Sequence, residues 1–116
     1  MICISSSTRF KEKILAISAK LKELNIEHYL PVLEFSKEEE TDDMIPGLVQ
    51  THLDKIKNSK ASFIINPGGY VGNSVKVEIG YAKGLGKKVF FLEKTNQPEL
   101  DCLADGFIGD NLELLN

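Results

Sequence analysis

Short runs rich in β-branched and aromatic residues alternate along the chain with stretches of helical period. Ile2-Cys3-Ile4-Ser5 opens as a strand, and Phe10, Ile14, Ile17, Leu21 and Leu24 then recur at alternating steps of four and three, the stripe of an amphipathic helix. The run HYLPVL from His28 to Leu33 reads as a second strand, weakened by Pro31, which has no N–H to give to a ladder. A second helix is expected to begin at Pro46, whose missing N–H has no intrahelical partner in a first turn, and to run to about Asn58. ASFIIN from Ala61 to Asn66 is a third strand, KKVFFL from Lys87 to Leu92 a fourth, and DGFIG from Asp105 to Gly109 can supply a fifth. A further helix is expected from Asn73 or Ser74, between the third and fourth strands. Strands alternating with helices in this way predict βαβ units, and therefore an α/β fold: a flavodoxin-like or Rossmann-like three-layer sandwich on a mostly parallel sheet of four to five strands.

Composition narrows the picture. A chain of 116 residues, 42% of them hydrophobic, suffices for one core and leaves no room for a second, so residues 1–116 are read as one domain. The 14 basic and 17 acidic residues give a formal charge of −3 with no basic cluster, so no nucleic-acid duplex is expected as a partner. No apolar run approaches a membrane span and no basic segment precedes ICIS, which gives a cytoplasmic expectation without a membrane partner. KEEETDD, from Lys37 to Asp43, lacks apolar period and reads as a mobile surface loop. Cys3 and Cys102 are too far apart in sequence for a local metal-ligand spacing and too few for a disulfide framework, so both are expected to be reduced and structural, with no metal.

In such a fold ligands collect at the carboxyl edge of the strands. Ser5, Ser6, Ser7, Thr8 and Arg9 follow the first strand there; small hydroxyls, free N–H groups and one guanidinium suit an anion, and equally suit plain helix capping. The glycines of Pro67 to Asn73 allow close backbone approach to a ligand, or a tight turn. They match neither a phosphate-binding P-loop, having no Gly-Lys-Ser/Thr ending, nor the dinucleotide fingerprint after a first strand. Glu78 is more informative. At about 100° per residue, Val75, Ile79, Ala82 and Leu85 share its side of the helix while Lys76 and Lys83 point away, so a carboxylate faces inward or into a cleft. The same test on the preceding helix places His52 in a stripe with Ile45, Val49 and Ile56, either as a satisfied core histidine or as an acid/base partner for Glu78. His28 has no feature beyond its strand position.

HLDKIKNSKASFIINPGGYVGNSVKVEIGYAKGLGKKVFFL, from His52 to Leu92, together with ICISSSTRF, resembles the nucleoside 2-deoxyribosyltransferase superfamily, which includes the 2'-deoxynucleoside 5'-phosphate N-hydrolases. The likeness covers roughly two thirds of the chain, and its most specific part is the glycine-containing loop followed by E-I-G-Y-A and a lysine-flanked strand. It implies that Glu78 is the nucleophile attacking the anomeric carbon and that the Ile4–Phe10 loop lines the sugar or 5'-phosphate side of the pocket. The family's glycine in that loop is absent here, His52 stands where characterised members carry an aspartate that assists the leaving base, and Ser59-Lys60 replaces a frequent Ser-Asp. The resemblance implies double displacement through a deoxyribosyl ester of Glu78, with His52 or water protonating the base and with no cofactor. Ser5, Ser6, Ser7, Thr8, Arg9, Phe10, Gly69, Tyr70, Gly72, Asn73 and Ser74 would bind a nucleoside or its 5'-monophosphate, and Tyr70 or Phe10 would stack on the base. It also implies at least a homodimer. Two rival readings share the fold: a nucleotide-binding or sensing module without turnover, and cleavage of the nicotinamide bond of NAD, which the missing dinucleotide fingerprint weakens.

Overall fold

Alternate residues of a strand face opposite sides of a sheet, and here that alternation sorts the interior into two cores. The computed structural model describes residues 1–35 and 38–116. Its strands are β1 (Ile2–Ser5), β2 (His28–Tyr29), β3 (Ala61–Ile64), β4 (Lys88–Phe91) and β5 (Gly106–Phe107), all parallel in the order β2-β1-β3-β4-β5. The helices are α1 (Lys11–Glu23), α2 (Ile45–Lys57), α3 (Asn73–Gly84) and the single turn α4 (Pro98–Asp101). Ile2 and Ile4 of β1, Phe63 of β3, Ile65 and Leu92 pack with Ile14, Ile17 and Leu21 of α1 on one face. Cys3, Ile64, Val89 and Phe91, one residue out of phase, pack with Ile56 of α2 and Val75, Ile79 and Ala82 of α3 on the other. The three-layer flavodoxin-like α/β expectation is therefore met, with five parallel strands.

The second strand is shorter than HYLPVL suggested. Pairing stops after Ile2↔His28 and Cys3↔Tyr29. The chain then turns toward Pro31, and the Leu30 carbonyl accepts from Lys55 Nζ at 2.7 Å. Leu24 and Leu85, placed in helical stripes by period, are 38% and 43% exposed. Each follows the last helical residue, where left-handed Asn25 (φ 58°) and Gly86 (φ 76°) turn the chain away. The bonds Ile26 N–H to Leu21 and Lys87 N–H to Ala82 close both ends as Schellman motifs. Of the expected charged loop, Lys37 lies outside the described residues, and within 38–43 only Glu40 is not fully exposed. Both thiols are free, Cys3 in the core and Cys102 on the surface, so only Cys3 has the structural burial expected of both. Among the described residues no helix is long and apolar enough to cross a membrane.

Strand order reverses direction between β1 and β3: α1 leads from β1 to β2 on one side, and α3 leads from β3 to β4 on the other. The loops leaving β1 and β3 therefore diverge and open a crevice at their carboxyl ends.

Candidate functional site

Three elements carry polar side chains into that crevice. Ser5 ends β1 in phase with Cys3, so it faces α2 and α3. His52 lies midway along α2, four residues before Ile56, and is 5% exposed. Glu78 is in the second turn of α3 between Val75 and Ile79, 7% exposed, as its helical phase predicts. The three side chains meet. His52 Nε2 lies 3.0 Å from Ser5 Oγ, 3.6 Å from Glu78 Oε1 and 3.5 Å from Cys3 Sγ.

Burial disfavours charge on both members of the His–Glu pair. Desolvation pushes the Glu78 carboxyl up to about 7, opposed by a hydrogen bond from Ser5. Desolvation takes His52 down to about 4, the Lys55 charge adds to this, and a hydrogen bond with the Ile4 backbone opposes it. At neutral pH the imidazole is uncharged and Glu78 is poised between acid and carboxylate, so the 3.6 Å contact is not an ion pair there. The Cys3 thiol, pushed up to about 12 mainly by desolvation, stays protonated and unreactive.

Above this group lies a cavity of about 270 Å³. Ser6, Ser7 and Thr8 form one side, Ile45, Leu48, Val49 and His52 of α2 a second, and Tyr70, Gly72, Asn73, Ser74, Val75 and Glu78 a third, with Pro31, Val32 and Glu40 at the remaining edge. Ile45 and Val49, read from period as core, are only half-buried because they face this cavity. Gly72 precedes α3 without a side-chain cap, so the first-turn N–H groups at Asn73 and Ser74 are available to a ligand. Thr8 Oγ1 is buried without a hydrogen-bond partner. Glu40, at the cavity edge, had no signal in the sequence beyond membership of a charged loop.

Other expected site residues lie outside the cavity or already hold partners of their own. Ser5 lies under the cavity rather than on its wall, bonded to His52. Ser6 Oγ donates to the Ile65 carbonyl at 2.7 Å, tying the β1 loop to β3, and Ser7 caps the short turn at Thr8–Phe10 by accepting from Arg9 N–H. Arg9 is not a cavity residue: its guanidinium stacks 4.1 Å above the Tyr70 ring, and Phe10 meets the same ring edge-on at 5.9 Å. Arg9 and Phe10 border a wider groove of about 830 Å³, with Pro67, Leu92, Glu93 and Asp110, which holds neither His52 nor Glu78. Gly69 serves its own chain. It has φ +84°, and a Cβ there would come within 2.7 Å of the Lys94 carbonyl. Asn66, fully buried, accepts from Glu93 N–H and donates to the Glu93 carbonyl, which fixes the loop that delivers α3 to the site.

No protein-family model matches the chain, and no curated protein matches it.

Proposed function

We propose that the cavity is the active site of an N-glycosidase or deoxyribosyltransferase acting on a nucleoside or nucleoside 5'-monophosphate, with Glu78 as the nucleophile. The observation that carries this reading is the poised Glu78 carboxyl, buried among apolar side chains, held by Ser5 and beside His52, on the wall of a cavity at the switch point of the sheet. A carboxylate brought out of water has lost the hydration that would quench its nucleophilicity, which suits attack on an oxocarbenium-like carbon. In the first step an oxygen of Glu78 bonds to the anomeric carbon as the C–N bond breaks, and the bonding pair leaves with the base. In the second, water or a second base takes the sugar and Glu78 is released. His52 carries no standing proton at neutral pH, so the proton the base needs comes through His52 from another group or from water. The cavity, about 270 Å³, lies just below the about 300–1,000 Å³ usual for ligand pockets, which favours one nucleoside-sized group over a dinucleotide. Tyr70, braced by Arg9 and Phe10, is a flat apolar face for a base, and the uncapped α3 terminus with the Ser6–Thr8 hydroxyls suits sugar or phosphate oxygens.

The test is chromatographic: wild type and Glu78→Ala are incubated with deoxynucleosides and their 5'-monophosphates, each with and without a second free base. Base release by wild type alone supports the reading, and a new nucleoside formed only with added base makes the protein a transferase. Binding of the panel without turnover by either protein refutes it and leaves a nucleotide-binding module.

A further inference from the structure

Asn66 lies two residues beyond Ile64 and Glu93 two beyond Phe91, so the two face each other where the ladder between β3 and β4 would continue. A side chain takes its place. The Asn66 carboxamide donates to the Glu93 carbonyl at 2.8 Å and accepts from Glu93 N–H at 3.0 Å, which leaves the Asn66 carbonyl to accept from Gly69 N–H at 2.8 Å as the chain turns off the sheet. The turn runs through Gly68 and Gly69, both left-handed, and delivers Tyr70.

Each N–H of this turn has a partner. Gly68 N–H donates to Glu93 Oε2 at 3.1 Å, Gly69 N–H to the Asn66 carbonyl and Tyr70 N–H to the Pro67 carbonyl. The two glycines are held differently, however. Gly69 packs against the Lys94 carbonyl, whereas a Cβ at Gly68 would meet nothing within 4 Å, so the Glu93 carboxylate is what fixes the Gly68 peptide. Tyr70 depends on that fixing. It is 41% exposed and sits between the glycines and buried Val71, so burial alone does not choose the direction of its ring. Arg9 and Phe10 brace the ring, and together with Pro67 and Glu93 they border the same groove behind it. Ring and backbone are held from the groove, and the ring lines the cavity.

We propose that Glu93 is a positioning residue: by holding Gly68 N–H, its carboxylate sets the direction of the Tyr70 ring and with it the cavity wall against which a planar ligand lies. That this ligand is a nucleobase rests on the glycosidic reading above; the hold on Tyr70 does not. Glu93 is exposed and lies outside the cavity, so replacing it spares both the core and the reacting groups.

The experiment compares wild type with Glu93→Ala and with Glu93→Gln, whose amide oxygen can still accept from Gly68 N–H. Amide hydrogen exchange reads the turn, and the upfield NMR shift that the Tyr70 ring imposes on the Arg9 side chain stacked over it reads the ring. In Glu93→Ala, Gly68 N–H is expected to exchange about fivefold faster. The Arg9 shift shrinks there too, while the β3 amides and the urea midpoint stay at wild-type values. Glu93→Gln restores both signals. If base release is found, Glu93→Ala raises KM about threefold with kcat unchanged, because Tyr70 touches the base and not the reacting carbon. Gly68 exchange equal to that of wild type in Glu93→Ala overturns the proposal, as does an unchanged Arg9 shift, which would leave Glu93 holding the glycine alone. A fall in β3 protection and urea midpoint in step with the turn also overturns it, since that marks a merely structural role. Absence of base release in wild type defeats the glycosidic reading alone, because exchange and shift decide the role of Glu93 without substrate.

Discussion

On β3, Phe63 faces α1 and is buried with Ile4, Ile14 and Leu92, while one residue earlier Ser62 faces α2 and α3 between Cys3 and Val89. The contrast extends over both faces. The α1 face is closed mainly with isoleucine, leucine and phenylalanine, its buried polar Ser18 bonded to His28, whereas the α2/α3 face takes Ser5 and Ser62 from the strands and the titratable His52 and Glu78 from the helices. The same strands supply both, so the difference lies in alternate residues and in what the helices bring. One face is optimised by apolar area; the other gives up part of that gain to hold titratable groups in a dry setting. A sheet of this order can separate these tasks because the loops leaving β1 and β3 diverge at the switch point and leave room there for side chains of α2 and α3.

Substituting one residue on each face separates function from stability. Glu78→Gln keeps shape and removes the nucleophile, and base release is expected to fall about 10⁴-fold, a loss typical of deleting a covalent catalyst. Phe63→Ala, on the α1 face, is expected to cost about 4 kcal/mol in urea unfolding, through lost transfer energy and the cavity left behind. That loss should be the same at pH 5 and pH 8, because among the described residues the buried titratable side chains, Cys3, His52 and Glu78, lie on the other face. Activity in Phe63→Ala should fall only as far as the folded fraction does. Equal losses of activity in both variants, per folded molecule, would erase the functional distinction between the faces.

Much of this was legible in the chain. The inward phase of Glu78 followed from Val75, Ile79, Ala82 and Leu85, of which the first three are buried with it and Leu85, past the helix end, is exposed. His52 was legible as buried, but its partners were not: Ser5 is 47 residues away, and only the parallel pairing of β1 with β3 and the packing of α2 over that sheet bring the two together. The placement of Arg9 was hidden for a related reason. A guanidinium beside serines reads as an anion site, and nothing in the sequence shows that a tyrosine from the loop after β3 lies against it. Gly69 read as room for a ligand and proved to be room for the Lys94 carbonyl, since sequence shows that backbone must pass close and not what passes. The short β2 was foreshadowed by Pro31, though not the Lys55 bond that occupies Leu30.

The two faces also differ in how their stability depends on pH. The folded-state value of Glu78, about 7, lies above its ordinary value of 4.5, so the folded protein binds this proton more tightly than the unfolded chain. Its contribution to stability is fully present below about pH 4.5 and is lost as pH rises through about 7. The difference amounts to about 3 kcal/mol. Glu78→Gln, which cannot ionise, should therefore melt roughly 10 °C above wild type at pH 8.5 and close to it at pH 4.5. His52 works in the opposite sense: its contribution is present above about 6.5 and lost as pH falls through about 4, so acid unfolding of both proteins should retain that lower transition. A melting difference that does not grow with pH would show that the carboxyl is not buried as an ionised group, and the two faces would then be alike in stability.

The smallest expected effect concerns Ser62, which tests whether the polar face is polar for a reason at every position. Its Oγ is buried with no hydrogen-bond partner, and it lies in register with Cys3 and Val89, away from the cavity lining. A hydroxyl brought out of water without a partner carries an uncompensated desolvation cost. Ser62→Ala removes that oxygen and little volume, so it should stabilise the protein by about 1 kcal/mol with base release unchanged. Ser5→Ala removes the same atom one strand away, where it is bonded to His52 at 3.0 Å, and should destabilise instead. If Ser62→Ala also destabilises, its hydroxyl has a partner in solution and the polar network extends one strand further from the cavity than Ser5. If it stabilises, the network ends at Ser5, and the α2/α3 face is polar for function only where the crevice reaches it.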